Sequence, residues 1–136
     1  MNDITLSPLS IIFSQNSHTT MTGLNEEIEK SKVHIIVKII EYVPNAIVSK
    51  TIIKKITGNI TLMSFDSGEE LADKTSPFDI FAQVIEGAAE ITINKEVHLL
   101  QLGEGIIIPA HAHNRIKAKQ RFKMIQTTIK SGYEDL

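Results

Sequence analysis

Short apolar stretches, separated by glycine, proline and asparagine, follow one another from about residue 46 to about residue 130. Between residues 89 and 93 apolar and polar side chains alternate strictly, which is the period of a half-buried β-strand. Asn94 and Lys95 come next and predict a tight turn, because asparagine tolerates a positive φ angle. This region therefore predicts a β-hairpin.

Strand-like stretches recur along the chain, and no stretch predicts a long helix. They are rich in β-branched isoleucine, which suits strands. Strands are predicted over residues 46–55, 60–65, 80–85, 89–93, 97–102, 106–108, 114–118 and 122–129. Many short strands with frequent turns predict an all-β sandwich or barrel. Both faces of the strand at 60–65 are apolar, which predicts a sheet that is covered on both sides.

Residues 1–31 are more polar, because serine, threonine and asparagine dilute the apolar side chains. We interpret them as a partly flexible N-terminal arm, followed by one domain over residues 32–136. The apolar patch at residues 9–13 predicts a strand that is added to another chain or folded back on its own. Together with the two-sided strand at 60–65, the arm favours a two-fold homodimer in which the arm or residues 46–55 cross to the partner.

The composition excludes several classes of function. The 136 residues include no cysteine, so disulfides, thiolate metal sites and thiol catalysis are excluded. A net charge of −2 and a pI near 6.2 argue against a nucleic-acid or anionic-membrane partner. No apolar run approaches the ~20 residues of a membrane-spanning helix, and the first residues lack the pattern of a signal peptide. We therefore expect a cytoplasmic protein.

Two glycine-bounded segments carry a resemblance to a known family. The first runs from Gly68 to Gly87, and the second runs from Gly103 through Pro109. Their spacing is similar to that of the two cupin motifs, and the piece KTSPFDIFAQVIEGAAEITI resembles a segment of short bacterial single-domain cupins. The resemblance covers residues 46–130. It implies an antiparallel jelly-roll barrel of two sheets, also called a double-stranded β-helix.

The resemblance also implies where a metal site would lie, and this sequence departs from the family there. Cupin metal sites use three imidazoles and a carboxylate, which suit divalent transition metals. The corresponding positions hold Lys74, Ser76, Ile80 and Asn114. A protonated amine, a hydroxyl, an alkyl group and an amide are poor ligands for such ions. The family's usual metal site is therefore expected to be absent, and no cofactor is expected.

His111 and His113 carry an alternative interpretation. If their segment is extended, both lie on one face, and a small shift in register would turn one of them into the barrel mouth beside Asn114. They could then hold a divalent transition metal, with Gln83 or Asp79 as a weak third ligand. This reading predicts a metal-dependent enzyme of the dioxygenase or isomerase type. In the other reading both histidines are exposed on the rim.

Without a metal, the same end of the barrel predicts a ligand site. We expect a small ligand, in particular an anionic one, to contact Lys74, Ser76, Gln83, His111 and Asn114. Desolvation at an apolar mouth would lower the pKa of Lys74, whereas the plainer reading has Lys74 paired with a nearby aspartate or reaching solvent. A third reading is a dimeric sensor or interaction module without pocket chemistry.

Two further features are read as structural. The acidic residues Glu69, Glu70 and Asp73 predict a solvated loop near the rim. The serines lack a histidine and an acid at any recognisable spacing, so a nucleophilic triad has no support.

Overall fold

The computed structural model describes residues 10–14, 19–21 and 27–133, the first two ranges by their backbone alone. The strands are β1 (Ser10–Ser14), β2 (Thr19–Met21), β3 (Ala46–Lys55), β4 (Gly58–Phe65), β5 (Glu70–Lys74), β6 (Ile80–Glu86), β7 (Ala89–Ile93), β8 (Glu96–Leu100), β9 (Gly105–Ile108), β10 (Asn114–Lys117) and β11 (Phe122–Ile129). Within the described residues the one helix is a 3-10 turn, Ile36–Lys38.

The strands form two antiparallel sheets. The larger sheet has the order β2-β1-β3-β4-β11-β6-β9, and the smaller has the order β5-β10-β7-β8. Several neighbours in each sheet are far apart in sequence, so the chain crosses repeatedly between the sheets, as in a jelly roll. The prediction of an all-β, double-sheet barrel is confirmed.

Strands β7 and β8 form the hairpin that the sequence predicted. Ile93 pairs with Glu96, and the two residues between them, Asn94 and Lys95, have φ angles of 47° and 73°. Positive φ at both central residues is the geometry of the type I′ turn, whose twist matches that of the flanking strands.

The core lies between the facing sides of the two sheets. Strand β4 contributes Met63 and Phe65, and β11 contributes Phe122 and Met124. The rings of Phe65 and Phe122 stack with centroids 4.4 Å apart and 16° between their planes, and both side chains are fully buried. Because side chains alternate along a strand, the residues between them face the other side of the sheet.

Residues 36–43 cover that other side. Ile40 packs against Val48 of β3 and Leu62 of β4, and none of the three is more than 2% exposed. The outer face of β4 is therefore covered by the chain itself, and not by a second subunit as expected from the sequence. The covering segment is apolar but follows neither a helical nor a strand period, so its contact could not be predicted from the pattern.

Two lysines fasten this segment through its backbone. Lys50 Nζ donates a hydrogen bond to the Ile39 carbonyl oxygen at 2.9 Å, and Lys123 Nζ donates to the Val37 carbonyl oxygen at 2.6 Å. Each lysine is only 7% exposed. Burial lowers the pKa of Lys50, although the nearby Glu41 carboxylate opposes the shift. Charge-assisted bonds of this kind offset part of the cost of burying an ammonium group.

The prediction of a solvated acidic loop at Glu69, Glu70 and Asp73 is wrong. Glu70–Lys74 forms β5, which pairs with β10, and Glu69 is only 3% exposed. In β5 only Leu71 packs onto the core. An edge strand that is mostly polar lacks the apolar alternation by which a strand is recognised in sequence.

Part of the predicted arm belongs to the large sheet. Strand β1 pairs along β3 of the same chain, with Ser10 opposite Lys50 and Ser14 opposite Ala46, and β2 pairs with β1. Of the two destinations predicted for the patch at 9–13, folding back is therefore observed for residues 10–14. The expected flexibility of the arm concerns residues that lie largely outside those described.

Candidate functional site

Lys74 at the end of β5 and Asn114 at the start of β10 form the centre of the candidate site. They are opposite each other in the antiparallel pair. Asp73 has a φ angle of 52°, and the register shifts between Asn114 and Ile116, so β5 is bulged at this point. Asn114 and Ile116 are at most 7% exposed. Because directly paired side chains share a face, Lys74 points towards the barrel interior beside Asn114.

The carboxylates that lie near Lys74 in the sequence are engaged with other groups. Asp73 lies 3.7 Å from Arg115, and Asp79 Oδ1 accepts the N–H of Ala110 at 2.8 Å. No carboxylate of residues 27–133 forms an ion pair with Lys74, so the plainer reading of an aspartate pair is not observed. Lys74 as a whole is exposed, which opens the site to solvent, yet burial of the ammonium end lowers its pKa.

The amide of Asn114 is oriented by two carbonyl groups. Asn114 Nδ2 donates to the Lys74 carbonyl oxygen at 3.2 Å and makes a longer contact of 3.4 Å with the Ala112 carbonyl oxygen. Because both neighbours are acceptors, the nitrogen of the amide must point towards them. The Oδ1 atom of the amide is then available as a hydrogen-bond acceptor.

Ser76 and Ile80 line the same end of the barrel but offer little to a ligand. Ser76 Oγ accepts the N–H of Phe78 at 3.1 Å, and the Ser76 carbonyl oxygen accepts the N–H of His111 at 2.6 Å. The serine therefore shapes a turn. Ile80 is partly buried against the core between the sheets, so the position of the family's carboxylate is apolar.

Gln83, expected in the ligand site, lies on the opposite side of β6. Its neighbours Ala82 and Val84 are fully buried between the sheets, so the alternation of the strand turns Gln83 outwards. There it pairs across the sheet with Ile125, and its Nε2 donates to the Gly103 carbonyl oxygen at 3.3 Å. A contact between Gln83 and a ligand in the barrel would need a register shift of β6.

His111 and His113 are both exposed, while Ala112 and Asn114 between and after them are buried. The alternation therefore places the histidines outside the barrel. His111 has a φ angle of 69°, and its N–H is held by the backbone. Among the residues that the structure describes, no group of three histidine, aspartate or glutamate side chains is placed to hold a metal ion.

Comparisons with known proteins show which solved structures have a similar architecture. No protein-family model matches the sequence, and no curated protein matches it. Among solved structures, a cupin superfamily protein from Desulfitobacterium hafniense is 25% identical with a TM-score of 0.72, over 78% of this chain and 97% of that chain. The chain folds as a small cupin domain. A conserved protein of unknown function from Streptococcus pyogenes is 28% identical with a TM-score of 0.73, over 78% of this chain and 93% of that chain.

An enzyme of known activity shares only the fold of this cupin. Salicylate 1,2-dioxygenase from Pseudoaminobacter salicylatoxidans is 18% identical with a TM-score of 0.56, over 60% of this chain and 26% of that chain. In a separate respect, no helix in the described part of the chain is both long and apolar enough to cross a membrane.

The donor atoms at the usual cupin metal position do not fit a transition metal. Ile80 has no donor atom, Ser76 Oγ accepts a hydrogen bond in a turn, and the single amine of Lys74 does not make a ligand set for a transition metal. The alternative set fails for a different reason, since His111 and His113 face away from this cupin's interior.

Reasoning from the sequence missed three polar side chains that face the interior at the same end of the cupin barrel. Thr61 of β4 pairs with Thr51 of β3 on one side and with Gln126 of β11 on the other. Gln126 in turn pairs with the buried Ala82. The signal was present, because the alternation that buries Phe122 and Met124 also directs Gln126 inwards.

A concavity lies on the outer face of the small sheet. It is an open groove of about 470 Å³ that includes Thr92, Asn94, Lys95, His113 and Arg115 in its lining. The register pairs Arg115 with Thr92, beside the interior pair of Ile116 and Ile91. The groove therefore lies mainly on the outer face of the sheet, and Asn114 of the candidate site also contributes to its lining.

Proposed function

We propose that this cupin binds a small anionic ligand at its barrel mouth, without a transition metal, and that Lys74 supplies the positive charge. The observation that supports the proposal is an interior-facing ammonium group that forms no ion pair with the described carboxylates. Asn114 Oδ1 beside it is an acceptor for a donor group of the ligand.

The electrostatics favour an anion. Transfer of an ammonium group from water towards a protein interior is unfavourable unless an opposite charge or hydrogen bonds compensate it. An anionic ligand would restore the missing partner and raise the pKa of Lys74 again. A carboxylate fits the site better than a bulky polyanion, because among the described residues Lys74 is the one cation that the register places on this interior face.

The opposite wall supports a ligand with further polar groups. Thr51, Thr61 and Gln126 form a row across the large sheet at the same end of the barrel. Hydroxyl and amide groups suit a neutral oxygen or hydroxyl of the ligand, while the core below them is apolar. A small hydroxylated or oxygenated carboxylic acid matches this distribution.

Binding can be tested by calorimetry and by thermal shift with a panel of small carboxylates, their neutral amides and inorganic phosphate. We expect carboxylates to bind and stabilise the protein and their amides to have no effect. Lys74→Met should abolish the effect, while Lys117→Met, an exposed lysine on β10, should retain it. Equal binding by the carboxylates and the amides, or binding that survives in Lys74→Met, would refute the proposal.

We also propose that this cupin is a homodimer. The support is an exposed apolar pair on the large sheet, and not the strand at 60–65 on which the sequence-based expectation rested. Phe81 of β6 and Ile107 of β9 are paired across strands on the outer face of the large sheet, and they are 42% and 61% exposed. Exposed apolar pairs of this kind favour association. Size exclusion with light scattering should give the mass of a dimer for the wild type. The double variant Phe81→Ser, Ile107→Ser should be a monomer, and the control Val97→Ser should remain a dimer. A monomeric wild type at micromolar concentration would contradict the proposal.

A further inference from the structure

We infer that Lys74 is a nucleophilic amine that forms an imine with a carbonyl group of the bound ligand, so that the ligand class is a small aldehyde or keto acid. The inference rests on the proposed anion site and adds a covalent step to it. The carboxylate of a keto acid would serve as the anion, and its carbonyl carbon would be the site of attack.

Position and access support this assignment together. The bulge in β5 turns Lys74 towards the interior, where its register partner is Asn114. The side chain is nevertheless exposed enough for a ligand to reach it. Its nitrogen is not shielded by an ion pair with any carboxylate of residues 27–133. Burial also lowers the pKa of Lys74, which increases the share of neutral amine, the form that attacks a carbonyl.

Lys50 provides an internal contrast. Burial lowers its pKa as well, but its Nζ donates to the Ile39 carbonyl oxygen and the residue is only 7% exposed. A reactive lysine needs a lowered pKa, a free nitrogen lone pair and access for the ligand. Of these two lysines, only Lys74 combines the lowered pKa with access and no hydrogen bond assigned to its nitrogen.

The step is balanced without a further reagent. The lone pair of the neutral Lys74 nitrogen forms a bond to the carbonyl carbon, and the carbonyl electron pair moves to oxygen. The two protons of the amine leave with that oxygen as water, and a carbon–nitrogen double bond remains. In this step Asn114 Oδ1 would accept a hydrogen bond from the intermediate hydroxyl.

Borohydride trapping tests the inference. The protein is incubated with pyruvate, glyoxylate or propanal, reduced with sodium cyanoborohydride, and mapped by peptide mass spectrometry. We expect a single adduct on Lys74 with at least one probe. It should form faster than adducts on exposed lysines, because a lowered pKa increases the share of neutral amine.

Lys74→Arg separates this inference from the proposed function. Arginine keeps the positive charge but cannot form the imine, so lactate should still bind to the variant while trapping is lost. Lys117→Arg is the matched control and should be trapped like the wild type. Adducts spread evenly over the lysines, or no adduct with any probe while lactate still binds, would overturn the imine and leave the anion site standing. If the wild type does not bind lactate, both the imine and the anion site are overturned.

Discussion

Lys74 and Asn114 face each other across the β5–β10 pair, and Asn114 Nδ2 donates to the Lys74 carbonyl oxygen at 3.2 Å. The contact joins the two strands just where the bulge at Asp73 turns the lysine inwards. The ammonium group is therefore positioned in the barrel by strand geometry, without an ion pair to any carboxylate of residues 27–133. A charge held in this way lowers the stability of the ligand-free protein.

We expect Lys74→Met to stabilise the protein at neutral pH. Burial lowers the pKa of Lys74 in the folded state, whereas in the unfolded chain it stays near the ordinary value of about 10.4. Between these two values the unfolded state binds more protons, so the stability of the wild type rises with pH across that interval. The variant lacks this rise.

Urea unfolding at about pH 7 and about pH 10 measures the difference, since the midpoint and slope give the free energy of unfolding at each pH. The advantage of Lys74→Met should be present at the lower pH and shrink at the higher one. Lys117→Met, which removes an exposed lysine, should show no such change. An advantage that grows with pH would contradict the assignment.

The strands that bury one face could be predicted from the sequence, because apolar and polar side chains alternate along them. Residues 46–55 and 89–93 match β3 and β7. Strand β5 was missed because Leu71 is its only residue that packs onto the core. The inward orientation of Lys74 depends on a β-bulge, which no residue pattern in the sequence predicts. Backbone irregularities of this kind depend on the neighbouring strand, which local sequence does not identify.

The site was predicted in part for a related reason. Motif spacing located Lys74 and Asn114, which the structure brings together. Motif spacing did not show which face of its strand Gln83 lies on, and the alternation of β6 turns it outwards. Gln126 faces inwards but lies outside both motifs, so it was not considered. Spacing along one chain finds positions, whereas pairing between strands decides which of them share a face.

Lys123→Met should loosen the segment that covers the outer sheet. It removes the bond of Lys123 Nζ to the Val37 carbonyl oxygen at 2.6 Å and the ion pair with Glu86 at 3.4 Å. A fully buried carbonyl that loses its donor costs about 1–3 kcal/mol, and this part-buried carbonyl should cost less. Hydrogen exchange at residues 36–43 should accelerate more than exchange in β4 and β11. Lys119→Met, whose side chain is 72% exposed, should leave exchange unchanged, and the same result for Lys123→Met would contradict its anchoring role.

The stacked pair of Phe65 and Phe122 should dominate the core. Either ring replaced by alanine should cost about 3–5 kcal/mol, because both are fully buried. A double-mutant cycle with leucine at both positions should give a coupling of about 0.5–1.5 kcal/mol for the stack. Val97→Ala, at a position that is 61% exposed, should stay within about 0.5 kcal/mol. Additive losses at the two phenylalanines would show that the rings act independently.

Gly87 and Gly103, two motif glycines with similar backbones, should respond differently to alanine. Their φ angles are 74° and 85°, so either substitution incurs the strain of a left-handed residue, about 1–2 kcal/mol. At Gly103 an added Cβ meets open space, whereas at Gly87 it would collide with the Arg121 carbonyl oxygen and crowd the buried Phe122. Gly87→Ala should therefore lose about 3 kcal/mol or more, since backbone atoms cannot move aside without displacing the core. Urea unfolding of both variants compares the losses, and equal losses would mean that strain alone, and not close packing, requires glycine at residue 87.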